Sequence, residues 1–219
     1  VITMNADHTL VASATKQYTL AVTKGSGVDG TPGTGSTIYK DGDTVNYSYT
    51  LQSGYRNLVV TLDGTAVAAS GSFSMTKNRA LVASATKEYT LTVTRNTGVS
   101  GTPATGSTAY ADGASVTYSY TLQTGYKNLV VTIDGTPVAA SGTITMSAVR
   151  TLVASATPKT QYTLTVTLGA GVDGTPAATD QYYEGDSVNY SYTLQGGYTD
   201  LVVTLDGTTV AASGSITMD

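Results

Sequence analysis

Between its glycine-rich turns the chain alternates apolar and polar side chains with a period of two, the mark of strands that bury one face. In residues 45–51 one face carries Val45, Tyr47, Tyr49 and Leu51, and the other carries Asn46, Ser48 and Thr50. Residues 18–23 alternate in the same way, and residues 2–4 and 10–14 predict two more short strands. Asp63-Gly64, Asp134-Gly135 and Asp206-Gly207 each fall between apolar runs. An Asp-Gly pair in that setting predicts a type I′ hairpin turn, which needs positive φ at both central residues. Gly25, Gly27, Gly30 and Asp41-Gly42 mark further turns. No useful length of chain places apolar residues at i, i+3, i+4 and i+7, so no helix is predicted.

The same strands return three times. Tyr18-Thr19-Leu20-Ala21-Val22-Thr23 recurs from Tyr89 and from Tyr162, spacings of 71 and then 73 residues, with a small insertion around Pro158-Lys159-Thr160. Tyr47-Ser48-Tyr49-Thr50-Leu51-Gln52 recurs from Tyr118 and Tyr190. The Leu58 to Thr65 run recurs from Leu129 and Leu201, and Gly-Thr-Pro stands at Gly30, Gly101 and Gly174. This period is longer than the units of most solenoids and suits a string of small domains. The expectation is therefore all-β: three tandem β-sandwich or β-barrel-like domains of about six strands each. Repeat 1 takes residues 17–87, repeat 2 residues 88–160 and repeat 3 residues 161–219, the third lacking its last strand. Residues 1–16 then hold either the C-terminal strands of a preceding repeat or a swapped strand of the first domain.

Ile2-Thr3-Met4 matches Ile144-Thr145-Met146 and Ile216-Thr217-Met218, so the chain opens and closes at one point of the repeat. That reads as a window on a longer polymer of repeats, with a recombinant fragment as the alternative. It also suggests strand exchange across a boundary, with Leu10-Val11-Ala12-Ser13-Ala14 completing the sheet of the domain that follows. Short linkers are expected between otherwise rigid beads.

Composition narrows the chemistry. Of 219 residues 40% are hydrophobic and only 12% charged, with 24 Gly, 16 Tyr, no Cys, no Trp and a net charge of −4. A core of that size excludes wholesale disorder. The scattered Lys and Arg give no footprint for nucleic acid or an anionic membrane. No apolar run is long enough to insert as a membrane helix. Without Cys there are no disulfides, thiolates or Cys-based metal sites. In domains of this size Tyr compensates for a small core, burying a large ring while its hydroxyl finds a partner.

Catalysis is not expected. The single His, His8, is replaced by Arg79 and Arg150 in later repeats, and Glu occurs only at Glu88 and Glu184, at different places in the repeat. A general base or carboxylate pair would recur if the repeats worked alike. No Gly-x-Ser-x-Gly elbow is present, and the glycines at 25, 27 and 30 lack the ending of a phosphate loop. The scarcity of acids also argues against a Lys–Asn crosslink. No cofactor is expected. Calcium between domains stays open at Asp41-Gly42-Asp43, although the equivalents Asp112-Gly113-Ala114 and Glu184-Gly185-Asp186 change the ligand count.

Two sequons, Asn46-Tyr47-Ser48 and Asn189-Tyr190-Ser191, make Asn46 and Asn189 candidate glycosylation sites, with Thr117 in the middle repeat. Sugars on the many Ser and Thr hydroxyls would likewise keep a weakly charged fibre soluble. Thr-x-Thr rows read as solvent faces of strands rather than an ice-binding array, because a period above 70 residues spaces them too widely. Tyr47, Tyr49, Tyr118, Tyr120, Tyr190 and Tyr192 form pairs that would either pack in a core or stack on sugar rings.

Tyr-Thr-Leu-Thr-Val-Thr, a Gly-rich turn, Asp-Gly-x-x-Val, Gly-Tyr and an apolar strand, closed by Met4, Asp7, Leu10, Val11 and Ala12, resemble the divergent bacterial tandem repeats related to the internalin-type B repeat. The likeness spans each repeat but departs where the family carries a Trp after Gly-Tyr; here Gly54-Tyr55 leads to Leu58 and Val60. The resemblance implies large secreted, surface-attached proteins whose repeats act as spacers or adhesive stalks, and it implies no catalytic residues. Two readings follow. One is a structural tandem-repeat element of an extracellular fibre or cell-surface stalk, associating with further copies of the same repeat. The alternative is a carbohydrate-binding adhesive module presenting Tyr and Thr surfaces.

Overall fold

The computed structural model describes residues 1–219 and contains strands but no helix. Residues 1–16 hold no strand and are exposed. The first set of strands is β1 (Gln17–Lys24), β2 (Val28–Thr31), β3 (Gly35–Lys40), β4 (Thr44–Leu51), β5 (Tyr55–Leu62), β6 (Thr65–Val67), β7 (Ser70–Ser74) and β8 (Arg79–Arg95). The second set is β9 (Val99–Thr102), β10 (Gly106–Ala111), β11 (Ser115–Leu122), β12 (Tyr126–Ile133), β13 (Thr136–Val138), β14 (Ser141–Thr145) and β15 (Arg150–Pro158). The third is β16 (Gln161–Leu164), β17 (Val172–Thr175), β18 (Asp180–Tyr183), β19 (Ser187–Leu194), β20 (Val203–Leu205), β21 (Thr208–Val210) and β22 (Ser213–Thr217).

The chain divides into two compact units: Val1–Leu91 with Ser107–Val116 and Thr145–Arg150, and Thr92–Gly106 with Thr117–Ile144 and Thr151–Asp219. In the first unit, β6, β5, β8, β1 and β3 form one sheet in that order, with β8 parallel to β1 and antiparallel to β5. The strands β2, β4 and β7 form a second sheet centred on β4. Leu20, Val22, Val45, Tyr47, Tyr49, Val60, Leu81 and Ala83 from both sheets bury together with Met75. The predicted alternation of residues 45–51 is therefore correct for Val45, Tyr47 and Tyr49, while Leu51, at the strand end, is 40% exposed. The Asp63-Gly64 turn adopts positive φ at both residues, 51° and 82°, and joins β5 to β6 as predicted.

In the second unit β12 pairs with β13 and β15, and β11 with β9, repeating registers of the first. The third set is different. There β16 pairs only with β18, β20 only with β21, and β17, β19 and β22 form a sheet of their own.

Four expectations need correction. Residues 2–4 and 10–14 are not strands, because a strand needs a neighbouring edge to satisfy its backbone groups and none lies beside them. Each complete set holds more than six strands, since the Gly-rich stretch is itself split into paired pieces. Finally, the segment equivalent to residues 10–14 completes the sheet that precedes it, not the one that follows: Leu81 pairs with both Val22 and Leu62. No linker separates repeats 1 and 2 either, because β8 runs unbroken for 17 residues.

Candidate functional site

Each Gly-Thr-Pro motif lies against the central tyrosine strand. Gly30 pairs with Tyr49, and a Cβ at Gly30 would lie 2.0 Å from the Ser48 carbonyl oxygen, so only glycine permits the approach. Gly101 and Gly174 stand equally close to Ser119 and Ser191. The peptides Thr31-Pro32, Thr102-Pro103 and Thr175-Pro176 are all cis. The Tyr49 hydroxyl donates to the Pro32 carbonyl at 2.8 Å, Tyr120 to Pro103 at 2.8 Å and Tyr192 to Pro176 at 2.9 Å. Burial pushes all three hydroxyls above the ordinary tyrosine value, with Arg95 acting in the opposite sense at Tyr120.

Tyr47 and Tyr49 have ring centroids 6.3 Å apart, as do Tyr118 and Tyr120, and all four are buried. Their ring faces point into the core, where a sugar has no access. Tyr190 and Tyr192, 6.1 Å apart, are only half-buried. Asn46 and Asn189 are exposed on the opposite face of their strands, paired with Ser72 and Ser215. His8 is exposed among residues 1–16.

The acidic residues serve local structure. Asp43 Oδ2 accepts from the Lys40 N–H at 2.7 Å, and Asp186 Oδ2 from the Tyr183 N–H at 2.9 Å. No three His, Asp or Glu side chains gather where they could share a cation. Asp63, a turn residue in the sequence, has a second task that the sequence alone did not suggest. Its Oδ1 accepts from the Ala80 N–H and its Oδ2 from Arg79, both at 2.9 Å, with Lys77 Nζ at 3.2 Å. The Ala80 hydrogen bond, helped by the two cations, holds its carboxyl below the ordinary value. Asp134 accepts from the Thr151 N–H at 2.8 Å in the same way. The hairpin turn thus fastens the start of the strand that closes each sheet. Glu184, read in the sequence as part of a calcium candidate, instead takes both carboxylate oxygens to Lys127 Nζ at 2.6 Å, and that contact draws its carboxyl down in pKa.

No protein family, curated protein or solved structure matches this chain.

The third repeat contains an open groove. A groove of about 360 Å³ runs between residues 163–169 and 201–206, floored by Tyr190 and Tyr192. In repeat 1 the equivalent place holds the first half of β8, flanked by β1 and β5. Here the flanking strands are cut back, β16 to 4 residues against 8 in β1, and β20 to 3 against 8 in β5. Leu164 and Val203 are half-buried, where Leu20 and Val60 are 0% and 3% exposed. Chemically the site is a trough lined by Leu164, Val166, Val203 and Leu205 together with polar groups, with no strand seated between β16 and β20, which suits an extended chain.

Proposed function

We propose that this protein is a structural tandem-repeat element of an extracellular fibre or cell-surface stalk, serving as a spacer without a catalytic step. The observation that carries this reading is β8. Residues 79–83 close the sheet of repeat 1, and the same strand continues as Glu88-Tyr89-Thr90-Leu91, the opening of repeat 2. Tension along the chain is then borne by rows of strand hydrogen bonds sheared together, rather than by a flexible hinge. At the same junction the Glu88 N–H donates to the Gly54 carbonyl at 2.9 Å. Its resemblance to internalin-type B repeats supports a spacer outside the cell, and exposed Asn46 and Asn189 suit covalent sugars there. No helix is long and apolar enough to cross a membrane.

The carbohydrate-binding alternative gains no support from Tyr47, Tyr49, Tyr118 and Tyr120, whose rings are buried. Electron microscopy of the native material tests the proposal. Continuous filaments with an axial repeat of one or a few domains are expected; dispersed particles that bind a glycan array would replace the spacer with the binding module.

A further inference from the structure

We propose that residues 7–15 of a second copy of this 219-residue chain enter the groove of the third repeat and pair there as a strand, linking copies head to tail. The inference deepens the fibre reading and rests on it. The donor is recognised by identity with strands already seated in such grooves. Leu10-Val11-Ala12-Ser13-Ala14-Thr15 repeats Leu81-Val82-Ala83-Ser84-Ala85-Thr86 of β8 and Leu152-Val153-Ala154-Ser155-Ala156-Thr157 of β15, residue for residue. In repeats 1 and 2 the leucine of this segment is 0% exposed, whereas Leu10 is 89% and Val11 79% exposed. One end of the chain therefore carries an apolar strand sequence with no sheet, and the third repeat carries a sheet interrupted where that strand belongs.

The register follows from repeat 1. Leu81 pairs with Val22 and Leu62, and Ala83 with Lys24 and Val60. Carried to repeat 3, Leu10 of the second copy lies between Val166 and Leu205, and Ala12 between Leu168 and Val203. The polar anchors match as well. Asp206 occupies the position of Asp63, ready to accept the N–H of Thr9 as Asp63 accepts that of Ala80. Asn78 accepts the Thr19 N–H at 2.9 Å, and Asp7, at the equivalent place in the donor, retains an oxygen for Thr163. Residues 2–4 stay outside, because Ile216-Thr217-Met218 of the acceptor already supplies that strand, with Met218 9% exposed. Inserting the donor pairs the backbone edges of residues 164–168 and 202–205 and buries the half-exposed Leu164 and Val203, whose equivalents Leu20 and Val60 are 0% and 3% exposed beside β8. Since donor and acceptor are different surfaces, the contact is heterologous and propagates as an open chain.

Sedimentation across a concentration series tests the proposal on the 219-residue chain. Oligomers that lengthen with concentration are expected, and a Leu10→Asp variant, altered at an exposed residue outside any strand, should remain monomeric. A chain lacking residues 1–16 should be monomeric and bind one fluorescent peptide of residues 5–16. The same peptide with Leu10→Asp should bind at least about 30-fold more weakly, from the lost burial of one leucine. The proposal is overturned if the intact chain stays monomeric throughout, even where the truncated chain captures the peptide, since the strand then serves its own chain. It is equally overturned if oligomers persist in Leu10→Asp. Native filaments together with a groove that takes no peptide would reject strand donation and leave the fibre reading standing; peptide capture and lengthening oligomers of the 219-residue chain, but no filaments in the native material, would do the reverse.

Discussion

The Tyr49 hydroxyl donates to the Pro32 carbonyl at 2.8 Å, tying the central strand of the small sheet to the Gly-Thr-Pro turn. With its ring in the core and its hydroxyl on a backbone acceptor, Tyr49 fills apolar volume without leaving a polar atom unpaired. Tyr49→Phe keeps the ring and removes the donor, stranding a partly buried carbonyl. A loss of about 1 kcal/mol is expected, and calorimetry should record a fall of about 2–4 °C in the melting of repeat 1.

The neighbouring glycines separate strain from mere composition. Gly30 has φ +131° and no room for a Cβ, whereas Gly33 has nothing within 4 Å. Gly30→Ala should cost about 3 kcal/mol through a combination of backbone strain and overpacking. Gly33→Ala should change stability by less than about 0.5 kcal/mol. Urea titration of the two variants side by side checks the contrast; equal effects would remove the close-approach explanation.

Leu81 and Leu10 sit in the same local sequence, with opposite surroundings. Leu81→Ala should cost about 2–5 kcal/mol, because it empties a site that is 0% exposed. Leu10→Ala in dilute solution should leave thermal unfolding unchanged, since Leu10 is 89% exposed.

Asp63 makes stability fall in acid. Its carboxyl titrates below the ordinary 3.8 in the folded chain, so its contribution is present above that value and is lost as pH drops through the folded pKa. Asp63→Asn should cost about 1 kcal/mol at neutral pH, given a partly solvated ion pair. The difference from the parent chain should vanish well below pH 3.8, which melting curves across the acid range would read directly.

The tyrosines act at the other end of the scale. Tyr49, Tyr120 and Tyr192 titrate above the ordinary 10.0, so the folded chain holds their protons longer than the unfolded one. Their stabilisation is full below 10.0 and is lost as pH rises through the folded values. Alkaline titration should show tyrosinate absorbance from these residues appearing together with unfolding, a step that Tyr49→Phe diminishes for repeat 1.

Much of this was legible locally. The alternation around Tyr47 and Tyr49, the Asp-Gly turns and the three-fold recurrence all follow from properties of short segments, because a strand's period and a turn's φ demands act on adjacent residues. The roles of Asp63 and Gly30 were hidden for the complementary reason. Ala80 lies 17 residues beyond Asp63 and Ser48 lies 18 beyond Gly30, so neither motif contains its partner. Glu184 likewise meets Lys127 across 57 residues.

By itself the sequence determined that this protein is built of strands, where its turns fall and that one unit is written three times. Tertiary structure alone decided which strand pairs with which. Backbone hydrogen bonds are the same for every residue, so alternation identifies a strand's buried face but never its neighbour. That is why Leu81 lies in a sheet between Val22 and Leu62 while Leu10, in an identical segment, has none.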